Sequence, residues 1–135
     1  MNKITDQAFG EMHYNYSWET KVGLNIWDQM YSIKIVANDP DEAGITSKQR
    51  ESYNEIKTNI SNIITQHEDN IRDYCNTVFD VKMPDMQSVI LPKSIVFQRD
   101  GSWGILFDCA YDPEHGLAIY FVKGKTFVGS QDDFL

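Results

Sequence analysis

The sequence predicts an α+β fold: a mainly antiparallel sheet of about six to seven strands with one long amphipathic helix packed on one face. Three observations predict it. Residues 9–37 alternate apolar and polar side chains. Residues from about 47 to about 77 repeat apolar positions every three or four. Residues 94–130 return to alternation, broken by turn signals. Hairpins make antiparallel pairing easy, and only the helix is long enough to cross over between parallel strands. The 135 residues read as one domain, large enough to bury a core without staples.

In the first segment Met12, Tyr14, Tyr16 and Trp18 alternate with Glu11, His13, Asn15 and Ser17, the period of a half-buried strand. Leu24 and Ile26, then Tyr31, Ile33, Ile35 and Ala37, continue the pattern, with turns expected near Lys21–Gly23 and Trp27–Gln29. Residues 38–44, Asn-Asp-Pro-Asp-Glu-Ala-Gly, form a loop, since Pro and Gly punctuate them. This loop holds three acids and no base. A solvated connector is the favoured reading over a contact loop for a basic partner. Calcium is disfavoured because the spacing lacks the oxygen ligands of a hand-type loop.

Thr46 and Gln49 have capping-box spacing, which starts the helix. Tyr53, Ile56, Ile60, Ile63, Ile64, Ile71, Tyr74, Cys75, Val78 and Phe79 then line one face. The segment spans about 45 Å if straight, with a bend placed near 66–70. His67 falls on the apolar stripe and reads as a core-edge histidine with a local hydrogen bond. After Pro84 and Pro92, Ile95–Phe97 begins the meander. Asp100-Gly101 marks a two-residue hairpin, and Gly124-Lys125 marks another. Trp103, Ile105, Phe107 and Cys109 share one face.

The net charge of −8 argues against nucleic acid and anionic membrane, which need a positive footprint. It serves solubility, and it suits a basic protein partner. No apolar run reaches bilayer length, and the N-terminus has no secretory pattern, so a cytoplasmic location is expected. Cys75 and Cys109 are expected to be reduced core residues.

The densest chemistry lies in Asp108-Cys109-Ala110-Tyr111-Asp112-Pro113-Glu114-His115-Gly116. Asp108, Asp112, Glu114 and His115 offer a metal-binding or calcium-regulated module as the alternative reading. The favoured reading is structural. Asp112 and Pro113 set a turn, Glu114 pairs with His115, and Gly116 supplies an unusual backbone angle. No metal or other cofactor is expected. A carboxylate beside Cys109 works against a reactive thiolate, and no nucleophile elbow exists, so no catalytic residue and no enzyme activity are expected. Surface recognition remains: three tryptophans and seven tyrosines are many large amphipathic rings, and a few exposed beside acidic loops make an interface.

From Trp103 through the Asp108–Gly116 segment to Gly129 and Asp132, the chain resembles a family of small bacterial proteins. Their C-terminal signature is Asp-Cys-x-Trp-Asp-x-Glu-His-Gly, then a hairpin and Gly-x-x-Asp. Tyr111 stands where that pattern more often has Trp. Phe9-Gly10 and the strands leading into the helix are similar in layout. The resemblance is to immunity proteins associated with polymorphic or contact-dependent toxins. It implies a protein that binds a cognate toxin domain and occludes its active site, with Trp103, Asp108, Tyr111, Asp112, Glu114, His115, Gly116 and Gly129 structural. An acidic surface suits a basic nuclease. The expected contacts are acids in loops or at the tail: Asp39, Asp41, Glu42, Asp132 and Asp133. A housekeeping interaction domain is the third reading.

Overall fold

The computed structural model describes residues 2–135. The fold is α+β, with one sheet of eight strands in sequence order. These are β1 (Lys3–Asp6), β2 (Gly10–Tyr14), β3 (Trp18–Ile26), β4 (Gln29–Ala37), β5 (Ile90–Phe97), β6 (Trp103–Cys109), β7 (Leu117–Val122) and β8 (Lys125–Gly129). Every neighbouring pair is antiparallel except β4 and β5, which run parallel from Lys34–Ser94 to Ala37–Phe97. The helical segment supplies that crossover. The strand count exceeds the expected six to seven because Lys3–Asp6, with little apolar signal of its own, adds β1.

The single long helix is corrected to three: α1 (Ser47–Ile56), α2 (Ile60–Gln66) and α3 (Glu68–Val78). The first break falls at residues 57–59, where Thr58 and Asn59 are weak helix formers. The second falls at His67, inside the expected bend. Asn59 and His67 both sit near ψ = 0, at 6° and 9°, which unwinds the turn at each. His67 Nδ1 contacts the Ile63 carbonyl oxygen at 2.8 Å, the local bond expected of it. Isolated helices of seven to eleven residues are marginal in water. Packing holds them: Ile56, Ile60, Ile64, Ile71 and Cys75 are buried on the sheet, each large side chain contributing about 1.5–3 kcal/mol.

Alternation fixes which face each strand buries. Ile33, Ile35, Ile95, Phe97, Ile105, Phe107, Leu117 and Ile119 meet the helices. On the opposite face Val96, Leu106 and Ala118 form a smaller cluster under Val36, Tyr120 and Phe134 of the C-terminal tail. Pro92 sits at an irregularity in the β5–β6 register, before pairing with β4 begins at Ser94, so β5 keeps its central place.

Three turns differ from expectation. β3 runs unbroken through Lys21–Gly23. The β5–β6 loop has three residues, with Gly101 at φ +92 and Gln98 N–H bonded to the Ser102 carbonyl, because Asp-Gly also fits a turn closed by a left-handed glycine. The last hairpin turns at Lys123-Gly124, both at positive φ, one residue earlier than expected.

Candidate functional site

Asp39 is the root of the loop that joins β4 to α1, and it is buried. Its Oδ2 accepts from the Trp18 indole N–H at 2.9 Å and from Gly44 N–H at 2.7 Å. Its Oδ1 accepts from Ala43 N–H at 2.8 Å and from Arg99 Nη1 at 2.9 Å. Asp39 N–H donates to Ser17 Oγ, whose hydroxyl donates to Asn38 Oδ1. Burial alone raises the Asp39 pKa. The two backbone donors, the indole and the guanidinium outweigh it and hold the carboxyl below its usual value. Gln49, fully buried at the start of α1, closes the capping box with Thr46. It also donates to the carbonyls of Asn38 and Phe97, tying loop, helix and sheet together.

This network carries a second turn on its outer side. Residues 15–17 join β2 to β3, and Tyr14 Oη donates to the Asp39 carbonyl at 2.6 Å, with the Pro40 carbonyl 3.1 Å away. Tyr16, between them, is 85% exposed and left-handed at φ +63. A large side chain in that conformation is uncommon, and its ring makes no compensating burial. Asp41 and Glu42 are exposed on the adjoining loop, and Asn2 Nδ2 donates to Glu42. The end of the sheet where β4 and β5 finish thus presents an exposed aromatic ring and two exposed acids on a locked base. Sequence alternation had placed Tyr16 on the inner face with Met12, Tyr14 and Trp18. The turn at 15–17 breaks that pattern, and Asn15 and Ser17 on either side were its only signal.

The Asp108–Gly116 segment lies at the opposite end of the sheet, between the end of β6 and the start of β7. Asp112 Oδ1 accepts from His115 N–H at 3.3 Å and contacts His115 Nδ1 at 3.0 Å. Asp132 approaches Nε2 at 3.6 Å. The expected Glu114–His115 pair is therefore corrected: Asp112, three residues back, is better placed, and Glu114 points to solvent. The Asp112 hydrogen bond and charge, with lesser help from Asp132 and Glu114, raise the His115 pKa. Gly116 sits at φ +62, with the Phe107 carbonyl 2.6 Å from where a Cβ would stand and Gln131 closer still. Gln131 Nε2 donates to that carbonyl at 2.9 Å. Tyr111 packs on Phe79, and buried Trp103 stacks on Phe121. Gly129 leaves room for Asp133, whose carboxylate accepts from Ser130 N–H. Gln131 and Asp132 thereby clasp the β6–β7 loop to the C-terminal tail.

Asp108 faces away from the loop, on the outer side of the sheet, and pairs with Lys93 at 3.5 Å. Asp112 and Asp132 approach opposite ring nitrogens of His115, which point away from each other. Among the described residues no three His, Cys, Asp or Glu side chains are grouped to hold a metal ion.

The five acids chosen as partner contacts are not brought together. Asp39 is corrected outright, because its carboxylate is consumed by internal donors. Asp41 and Glu42 lie at one end of the sheet. Asp132 and Asp133 lie at the other, roughly 20 Å away by strand length. Cys75 and Cys109 are free thiols, both buried, and they meet across the α3–β6 interface. Burial and the neighbouring thiol push Cys75 up to about 12, the opposite of an activated nucleophile.

Fold and site together define a small α+β module with a mostly antiparallel eight-stranded sheet and a clasped C-terminal loop. No helix of the described residues is long and apolar enough to cross a membrane. The chain belongs to the family defined by the domain of unknown function DUF6985, whose model matches residues 8–135. No curated protein and no solved structure matches it.

Proposed function

We propose that this chain is a binding protein of the immunity type, which covers a basic partner such as a toxin nuclease domain and blocks it without chemistry of its own. The observation that carries the reading is Tyr16, held out of the core in a left-handed conformation beside exposed Asp41 and Glu42. An aromatic anchor rimmed by like charge is how protein interfaces combine affinity with steering. The net charge of −8 adds long-range attraction for a basic surface. The C-terminal motif supports the same reading by resemblance, as part of the scaffold.

Asp41, Glu42 and Tyr16 contact the partner in this reading, and Asp132 and Asp133 lie outside that contact. The test is capture of the polypeptide encoded beside this chain, with survival of cells that co-express both. Capture and rescue are the expected results. No complex and no rescue would count decisively against the proposal.

A further inference from the structure

β8 is an edge of the sheet, and half of its backbone faces outward. The two-residue turn at Lys123-Gly124 makes Val122–Lys125 a hydrogen-bonded pair. Bonded and non-bonded pairs alternate from there, so Tyr120–Phe127 and Ala118–Gly129 are bonded, and Phe121–Thr126 and Ile119–Val128 are not. The N–H and C=O groups of Thr126 and Val128 therefore point away from β7. One common protection of an edge is a charge or a proline at its centre. β8 instead has Phe127 there, 44% exposed, with lysine only at its start. Beside it a groove of about 560 Å³ opens between β8 and α3, walled by Tyr74, Thr77 and Val78, the last 55% exposed.

Charge is arranged to match a reversed copy of the same strand. Lys123 and Lys125 stand at one end of β8, and Asp132 and Asp133 follow the other. We propose that two copies of this chain pair β8 against β8, antiparallel, with Phe127 opposite the partner's Phe127. Thr126 then meets the partner's Val128 as a bonded pair, which uses all the outward groups of both residues. Lys125 meets the partner's Gly129 and lies beside the partner's Asp132 and Asp133, and symmetry repeats the contact. Phe127 falls at a non-bonded position, where opposed side chains are closest. Inward side chains of the partner strand, Thr126 and Val128, enter the groove against α3. The two eight-stranded sheets become one.

Sedimentation of the full chain from micromolar to near-millimolar concentration is expected to show a monomer–dimer equilibrium. Phe127→Glu opposes two carboxylates at the axis and is expected to weaken the dimer on the order of 100-fold or more. Lys125→Glu, which alters no packed side chain, is expected to weaken it as well. Far-ultraviolet circular dichroism checks that both variants fold. Phe127→Cys places two thiols on Cα atoms about 4.5 Å apart, within disulfide reach, and is expected to give a covalent dimer on mild oxidation, whereas Lys125→Cys does not. A wild-type chain that stays monomeric overturns the proposal. So does a dimer that survives both charge substitutions, or one that cross-links at 125 and not at 127.

Discussion

Arg99 Nη1 lies 2.9 Å from Oδ1 of Asp39, an ion pair between a loop-borne guanidinium that is 39% exposed and a carboxylate at 1%. The asymmetry sets what the pair is worth. Removing the carboxylate leaves the Trp18 indole N–H and two backbone N–H groups without their acceptor, while Arg99 can turn to water. Asp39→Ala is therefore expected to destabilise by about 3 kcal/mol, the lower end for a broken buried pair. Urea unfolding measures it. A loss no greater than that of an exposed alanine substitution would mean the network is not closed in solution.

Acid should act through the same group. The Asp39 carboxyl, and that of Asp6, are held below the ordinary value. In both, burial pulls upward and is outweighed. For Asp6 the opposing groups are the N–H groups of Phe9 and Ala8 and the Arg50 guanidinium. A folded pKa below the unfolded one gives stability that is present above about pH 4 and is lost as pH falls through the folded value. Urea midpoints are expected to fall steeply below that point in the wild type and less steeply in Asp39→Asn.

His115 shifts the other way. Its pKa is raised, so the folded state gains from its charge below the unfolded value of about 6.5. That gain fades as pH rises through the folded value. Proton NMR titration of the His115 ring is expected to give a midpoint above the ordinary one, and Asp112→Asn is expected to lower it. An unchanged midpoint in that variant would deny the Asp112 contact.

Gly116→Ala tests the C-terminal clasp. The new methyl meets the Phe107 carbonyl and displaces Gln131, besides the left-handed strain of about 1–3 kcal/mol. Gly124→Ala has the same kind of φ with open space around it, so its expected cost is strain alone. Urea unfolding should rank Gly116→Ala as the more damaging, and hydrogen exchange should show the tail after Gly129 released in it alone.

Much of the fold was legible in local pattern. The Thr46–Gln49 capping box, the isoleucine stripe and most of the strand alternation are signals between near neighbours, and they stand where expected apart from the shifted turns, the added β1 and Tyr16. The second helix break, at His67, falls within the expected bend, but the first was not legible, because the apolar period runs on through Thr58 and Asn59 while the backbone there does not. The site was harder still. Asp39 sits in a Pro- and Gly-punctuated acidic run, which locally means solvent. Its partners Trp18 and Arg99 are 21 and 60 residues away; the β3–β4 hairpin brings the first and the parallel β4–β5 pairing the second. Tyr16 was hidden by the opposite fault, an alternation that continued by accident through a turn.

The most direct measurement is the association rate with the polypeptide encoded beside this chain, the proposed partner, followed by stopped flow across a range of salt, for wild type, Asp41→Lys with Glu42→Lys, and Tyr16→Ala. Lysines at 41 and 42 are expected to slow association and flatten its salt dependence, and Tyr16→Ala to speed dissociation, with urea midpoints unchanged. Rates identical to wild type in both variants would contradict an interface at this end of the sheet.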